Sequence, residues 1–241
     1  MLMRNGQSFR IALVMVLSAM GYAEPQSTLT SGDIADRTQS VYAECSSYRD
    51  TGKVTTVFFE NDRQRTVEKP FQTAFVRPDR FRFEYRDESV PASGTRYIIW
   101  RDGANVQTWG TIDKPPLRTP DSFQLAIAAA TGVSSASASR IPSMLLPVEV
   151  GRSRPSSLSA MKRINDEDWN GVSFYRLQSE VIETPQAKTV NTVWIDQQTF
   201  LIRRVDSRSE FVTFRTESTT VYDPQVNVDI PGEVLAFAHP E

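Results

Sequence analysis

The sequence predicts an α+β fold that is mainly antiparallel β. The expected form is a strongly curved, open half-barrel sheet, with an N-terminal helix and mid-chain helices laid as a lid over the concave face. Three observations predict it. Runs with period-2 alternation recur along the chain, most clearly in residues 71–85, FQTAFVRPDRFRFEY. Turn signals such as Asp102-Gly103 and Asn170-Gly171 join neighbouring runs, so consecutive strands pair antiparallel. The alanine-rich apolar stretch falls mid-chain, and about ten strands in one sheet must curl to leave a concave side for it. A sandwich accounts for the strands nearly as well, but less readily for that stretch.

Each element follows in order. Residues 1–23 read as a secretory signal: Arg4 and Arg10, an apolar run at 11–17, then small residues up to Gly21-Tyr22-Ala23. The run is far shorter than the ~20 residues that cross a bilayer. The mature chain is therefore expected to start near Glu24, with 24–241 as a single domain in the periplasm. Ser31-Gly32-Asp33 is a helix cap, and Ile34, Val41 and Tyr42 carry helical spacing toward Cys45. Residues 48–60 read as strand, 61–65 as a turn. In residues 71–85 two strands meet at a Pro-Asp corner. Phe81, Phe83 and Tyr85 share one side and Arg80, Arg82 and Glu84 the other. Residues 95–101 and 105–109 form a hairpin about Asp102-Gly103.

The pattern then changes. Thr119-Pro120-Asp121 reads as a helix start, residues 123–131 as its body and Gly132 as its stop. Residues 134–139 are small and polar, and Ile141, Met144, Leu145 and Leu146 form a second short segment ending at Pro147. The lid is placed at about 119–147. After a polar linker at 152–159 the chain is β again: 172–182, 189–195, 200–206 and 211–222. From Pro224 on, little regular structure is expected.

Composition excludes several functions. Of 27 Lys and Arg, removing Arg4 and Arg10 leaves 25 against 29 Asp and Glu, a net charge of −4 that argues against a nucleic-acid partner. Cys45 has no intrachain partner and reads as a small buried apolar residue. The one histidine, His239, stands near the terminus, so no triad or histidine-bearing metal site can form. No nucleophile elbow or P-loop occurs, so no catalytic residue, metal or cofactor is expected. Asp166-Glu167-Asp168 reads as a solvated charge run. Glu84 and Glu88, the other carboxylate pair considered, fall on the polar side.

Large aromatics on one sheet face need a cover or a ligand. The expected lining is Phe58, Phe75, Phe81, Phe83, Tyr85, Trp100 and Trp109 from the sheet, and Leu125, Ile127, Met144 and Leu145 from the lid. Plain core is the competing reading for each. Each CH2 taken from water contributes ~0.8 kcal/mol, so an acyl ligand needs a large dry cavity.

The order N-terminal helix, YRDTGKV, FVRPDRFRFEY, YIIWRDG, AIAAATGVSSASASRIPSMLLP and VNTVWIDQQTFLIRRVD resembles the LolA-like family of periplasmic lipoprotein carriers. More closely, it resembles the exported bacterial LolA-like proteins of unassigned role. The likeness covers roughly residues 30–225. It implies the half-barrel with helical lid. It also implies that Arg77, the arginine before the proline, points to the lid and holds it closed through lid carbonyls. The partners implied are a lipid or an acylated lipoprotein, with an envelope partner protein as a further candidate; the sequence leaves the oligomeric state open, a monomer being favoured. The alternative is a non-enzymatic envelope module with a filled core that binds a partner protein. Residues 131–154 are longer and richer in serine than a compact lid requires, so a free lipid or hydrophobic small molecule is as apt a cargo as a triacylated lipoprotein.

Overall fold

A computed structural model describes residues 29–87, 95–150, 158–184 and 187–238. The expected signal segment, Glu88 and His239 lie outside them. Helix α1 (Ser31–Glu44) opens on a capping box: Thr30 is the cap, and Asp33, expected in the cap itself, is the reciprocal partner three residues on. Strands β1 (Ser47–Glu60), β2 (Arg63–Val76), β3 (Arg80–Asp87), β4 (Thr95–Asp102), β5 (Asn105–Gly110) and β6 (Leu117–Arg118) follow as a meander. Next come α2 (Phe123–Val133) and α3 (Arg140–Leu145). The second meander is β7 (Lys162–Trp169), β8 (Val172–Thr184), β9 (Ala187–Asp196), β10 (Ile202–Glu210) and β11 (Phe214–Tyr222). The chain continues through β12 (Gln225–Val226) and α4 (Gly232–Leu235).

All twelve strands belong to one curved, open antiparallel sheet ordered β6-β5-β4-β3-β2-β1-β11-β10-β9-β8-β7, with β12 beside β1. The two meanders join where β1 pairs with β11, from Gly52 opposite Tyr222 to Glu60 opposite Phe214. The sheet and its helices have the architecture that the LolA-like motifs implied. The inner face carries α1, α2 and α3 on one continuous apolar core.

Three local expectations change. The β4–β5 turn is centred on Gly103-Ala104, because Asp102 already pairs with Asn105; Gly103 takes the left-handed first position at φ 60°. Helix α2 starts at Phe123 with Ser122 as its cap, whose Oγ accepts from the Leu125 amide at 3.2 Å. The segment after Pro224 is ordered as β12 and α4. Ile230 and Leu235 pack on Ala74 across the outer face, and Trp100 Nε1 donates to the Leu235 carbonyl at 2.5 Å.

Candidate functional site

The inner face is built in rungs, because residues paired across antiparallel strands share a side. One rung runs Tyr48–Phe75–Phe81 and the next Asp50–Thr73–Phe83–Ile99–Thr108. A third runs Tyr222–Gly52–Phe71–Tyr85–Tyr97–Gly110. Here the glycines are required by the rings beside them. A Cβ on Gly52 would stand 2.3 Å from the Phe71 ring, and one on Gly110 2.7 Å from that of Tyr97. Phe71 lies edge-on to Tyr222 at 5.5 Å, and Tyr85 stacks by Tyr97 at 6.2 Å.

Phe75, Phe81, Phe83, Tyr85, Ile127, Met144 and Leu145 are all buried in this one cluster. Four other expected lining residues are placed differently. Trp100 and Trp109 stand on the outer face: Tyr97 and Ile99 point inward, so their neighbours in the alternation point out, and Trp100 packs under α4. Leu125 is 53 % exposed, on the solvent side of α2. Phe58 has inward parity but lies past the helices, half-buried beneath the Arg65 guanidinium at 4.6 Å.

Arg77 sits at the end of β2, where three carbonyls converge. Its Nε donates to Cys45 O at 2.9 Å, and its Nη2 to Tyr42 O at 3.2 Å and Leu145 O at 3.3 Å. One rigid fork of donors thus serves the C-terminal ends of both α1 and α3. Gln39 Nε2 adds a second α1–α3 tie to Met144 O at 3.1 Å, and no sequence signal marked it. Cys45 is buried, donates Sγ–H to Tyr42 O at 3.2 Å, and has its thiol pKa raised by burial, which suits an inert residue.

Beneath the helices the packing leaves polar atoms unserved. Asp50 is buried among aromatics. Tyr48 OH donates to its Oδ2 at 2.6 Å, while its Oδ1 has no partner. Burial raises its pKa to about 6, against the lowering effect of the Tyr48 hydroxyl and of Thr73 opposite it on β2. Tyr85 OH on β3 and Thr38 Oγ1 on α1 are also buried without partners. Burial pushes the Tyr42, Tyr48 and Tyr222 hydroxyls far above their ordinary range, so all three stay neutral. The α2–α3 connection is strained as well: Ser135 and Ala136 are consecutive non-glycine residues at φ 53° and 67°. Ser134 Oγ steadies this link by accepting from Ala138 N at 3.1 Å.

The outer face is different. Glu84 is as buried as Asp50 but sits among Arg96 at 2.7 Å, Arg82 at 3.0 Å and Arg86 at 3.3 Å. Burial pushes its pKa up, yet the bonds and charges of Arg96 and Arg82 together outweigh this and hold it below the ordinary value. Trp194 lies between the Arg176 and Arg204 guanidiniums at 4.9 and 4.8 Å and donates Nε1–H to Asp206 at 2.8 Å. In the acidic run, Asp166 pairs with Arg163, Glu167 with Arg176, and Asp168 accepts from Ser173. Among the described residues no cluster of three or more potential metal ligands occurs.

The hollow anticipated under the lid is filled in this state. Ile127, Ala130, Ile141 and Leu145 occupy it, each 3 % exposed or less. Two pockets lie elsewhere. One of about 540 Å³ is lined by charged residues of β9, β10 and β11. One of about 290 Å³ lies beside the β5 edge at Asn105 and Thr119.

No protein-family model and no curated protein matches the chain. Among solved structures it is similar to a DUF1329 family protein from Desulfovibrio piger, at 13 % identity and TM-score 0.39, covering 86 % of this chain and 95 % of that one. It is similar to a LolA superfamily protein from Nitrosomonas europaea at 12 % identity and TM-score 0.33, covering 87 % and 99 %. It is also similar to the Pseudomonas aeruginosa MucA/MucB complex at 11 % identity and TM-score 0.41, covering 86 % of this chain and 61 % of that one. Likeness at this level carries no residue roles.

Proposed function

We propose that the chain is an exported, periplasmic binding module of the LolA-like kind, in which α2 and α3 are the resident occupants of the inner face and yield it to acyl chains. The observation that supports this most is the set of unpartnered polar atoms buried in the core between sheet and helices, Thr38 Oγ1 on α1, Asp50 Oδ1 on β1 and Tyr85 OH on β3. Each costs on the order of 1–3 kcal/mol, as do the left-handed Ser135 and Ala136 in the connection above them. A finished core rarely keeps such defects; a cover that must come off benefits from them. Arg77 is the latch: displacing α3 frees its bond to Leu145 while those to Tyr42 and Cys45 remain. The exposed aromatic rungs then take acyl chains at ~0.8 kcal/mol per CH2.

Mass spectrometry of lipid extracted from the purified exported chain, native and refolded, tests this. The expected result is co-purified or exchangeable acyl lipid. Its absence from both samples contradicts the carrier reading. A specific observation favours a second reading, a module that binds an envelope protein: the inner face is filled in this state. Under that reading α2 and α3 stay protected from hydrogen exchange whatever lipid is supplied.

A further inference from the structure

Five of the eleven exposed large apolar residues among the described residues stand at one end of the sheet. They are Val181, Ile182, Phe211, Val212 and Phe214, between 36 and 76 % exposed. The register explains why they are level. Ile182 pairs with Lys188, Lys188 with Glu210, Glu210 with Arg215, and Arg215 with Phe59. One rung therefore crosses β8, β9, β10, β11 and β1, and three hairpins turn at the same height. This end is opposite Arg77 and the helix ends, which gather where β1 begins and β2 finishes.

We propose that this end is a lipid-bilayer docking tip, with the β10–β11 turn as its leading edge. Phe211 and Phe214 stack at 4.2 Å with their planes 17° apart, so the turn presents a fixed aromatic face with Val212, 76 % exposed, at its crest. Behind it, guanidiniums lie over the rings, Arg215 over Phe59 at 4.2 Å and Arg65 over Phe58 at 4.6 Å. Apolar crest, aromatic shoulder and guanidiniums set over rings behind them are the arrangement that suits a headgroup boundary. The charges at this height carry both signs: Lys188, Glu180, Arg208, Glu210, Arg215 and Glu217, joined in ion pairs. Such a belt fits a largely zwitterionic surface better than a partner of one charge. A lasting protein interface needs roughly 800 Å² per partner. At about 200 Å² for a whole large side chain, these exposed fractions supply about 540 Å² at most, two-thirds of that. The inference does not depend on what the inner face carries.

The test is flotation of the exported chain with phosphatidylethanolamine–phosphatidylglycerol vesicles. The unaltered chain is expected to float with the vesicles. The combined change Phe211→Ser, Val212→Ser, Phe214→Ser is expected to weaken partitioning by roughly tenfold or more, since each loses apolar area at the boundary. Val212→Asp, a single change at an exposed turn, gives the same reading should the triple variant fold poorly. Val148→Ser, at another exposed apolar position, leaves flotation unchanged. The proposal is overturned if the unaltered chain stays unbound, if the tip variants float equally well, or if Val148→Ser has the same effect. It is also overturned if the tip drives self-association in sedimentation without vesicle binding, which would assign it to a second copy of the chain.

Discussion

Asp50 and Glu84 are two buried carboxylates on opposite faces of one sheet, and they are treated in opposite ways. Glu84, 2 % exposed, is met by three arginines and held ionised. Asp50, 4 % exposed, has one tyrosine on one oxygen and nothing on the other, and its pKa rises to about 6. Around Glu84 the outer face is fully paired. The inner face is apolar, contains an acid whose pKa is raised by burial, and is covered by helices joined through a strained link. The difference teaches where the molecule can afford to change shape.

The largest expected effect breaks the paired side. Glu84→Gln leaves three arginines around a neutral amide and is expected to destabilise the fold by about 3 kcal/mol in denaturant unfolding. Asp50→Asn should act with the other sign. A folded pKa raised from 3.8 to about 6 means that the folded state holds the proton more tightly, so stability is fully present below about pH 4. It falls as pH rises toward 6 and is flat above, by up to ~3 kcal/mol for about two pKa units. Asp50→Asn removes that slope, giving a chain more stable than the parent at pH 7.5 and equal to it near pH 4. The charged and titratable neighbours that bear on this are Tyr42, Tyr48, Tyr222 and Asp223. Glu84, with its lowered pKa, contributes the reverse slope, lost only in stronger acid.

Arg77→Ala strips donors from three carbonyls and is expected to cost about 2 kcal/mol, with faster amide exchange in α3 than in β2. Equal exchange in both would mean that the arginine is no latch. The smallest effect is Ala136→Gly. It relieves a left-handed alanine and should stabilise the covered state by about 1 kcal/mol while weakening acyl binding, as titration calorimetry would show.

Much of the sheet was legible because period-2 alternation and turn chemistry are local. Phe81, Phe83 and Tyr85 declare a shared side, and Asn170-Gly171 supplies two left-handed positions in sequence. What sequence could not decide was which side faced inward where both are apolar. In YIIWRDG, Tyr97, Ile98, Ile99 and Trp100 satisfy either parity, and Trp100 is half-buried on the outer side because α4 returns over it. That return, from a segment of 225–238 with little periodicity, is a long-range contact without a local signal. The latch at Arg77 could be named from its motif, but its partner Gln39 is an ordinary helix glutamine until α3 arrives beside it.

The most direct test of the account is photo-crosslinking with a fatty acid bearing a diazirine near its methyl end, followed by peptide mapping. The account predicts labels on inward residues of the aromatic rungs, Phe71, Phe83, Tyr85, Tyr97 and Ile99, with label reduced by Ala136→Gly. Labels confined to the outer face around Trp109 and Trp194, or none above background, would contradict it.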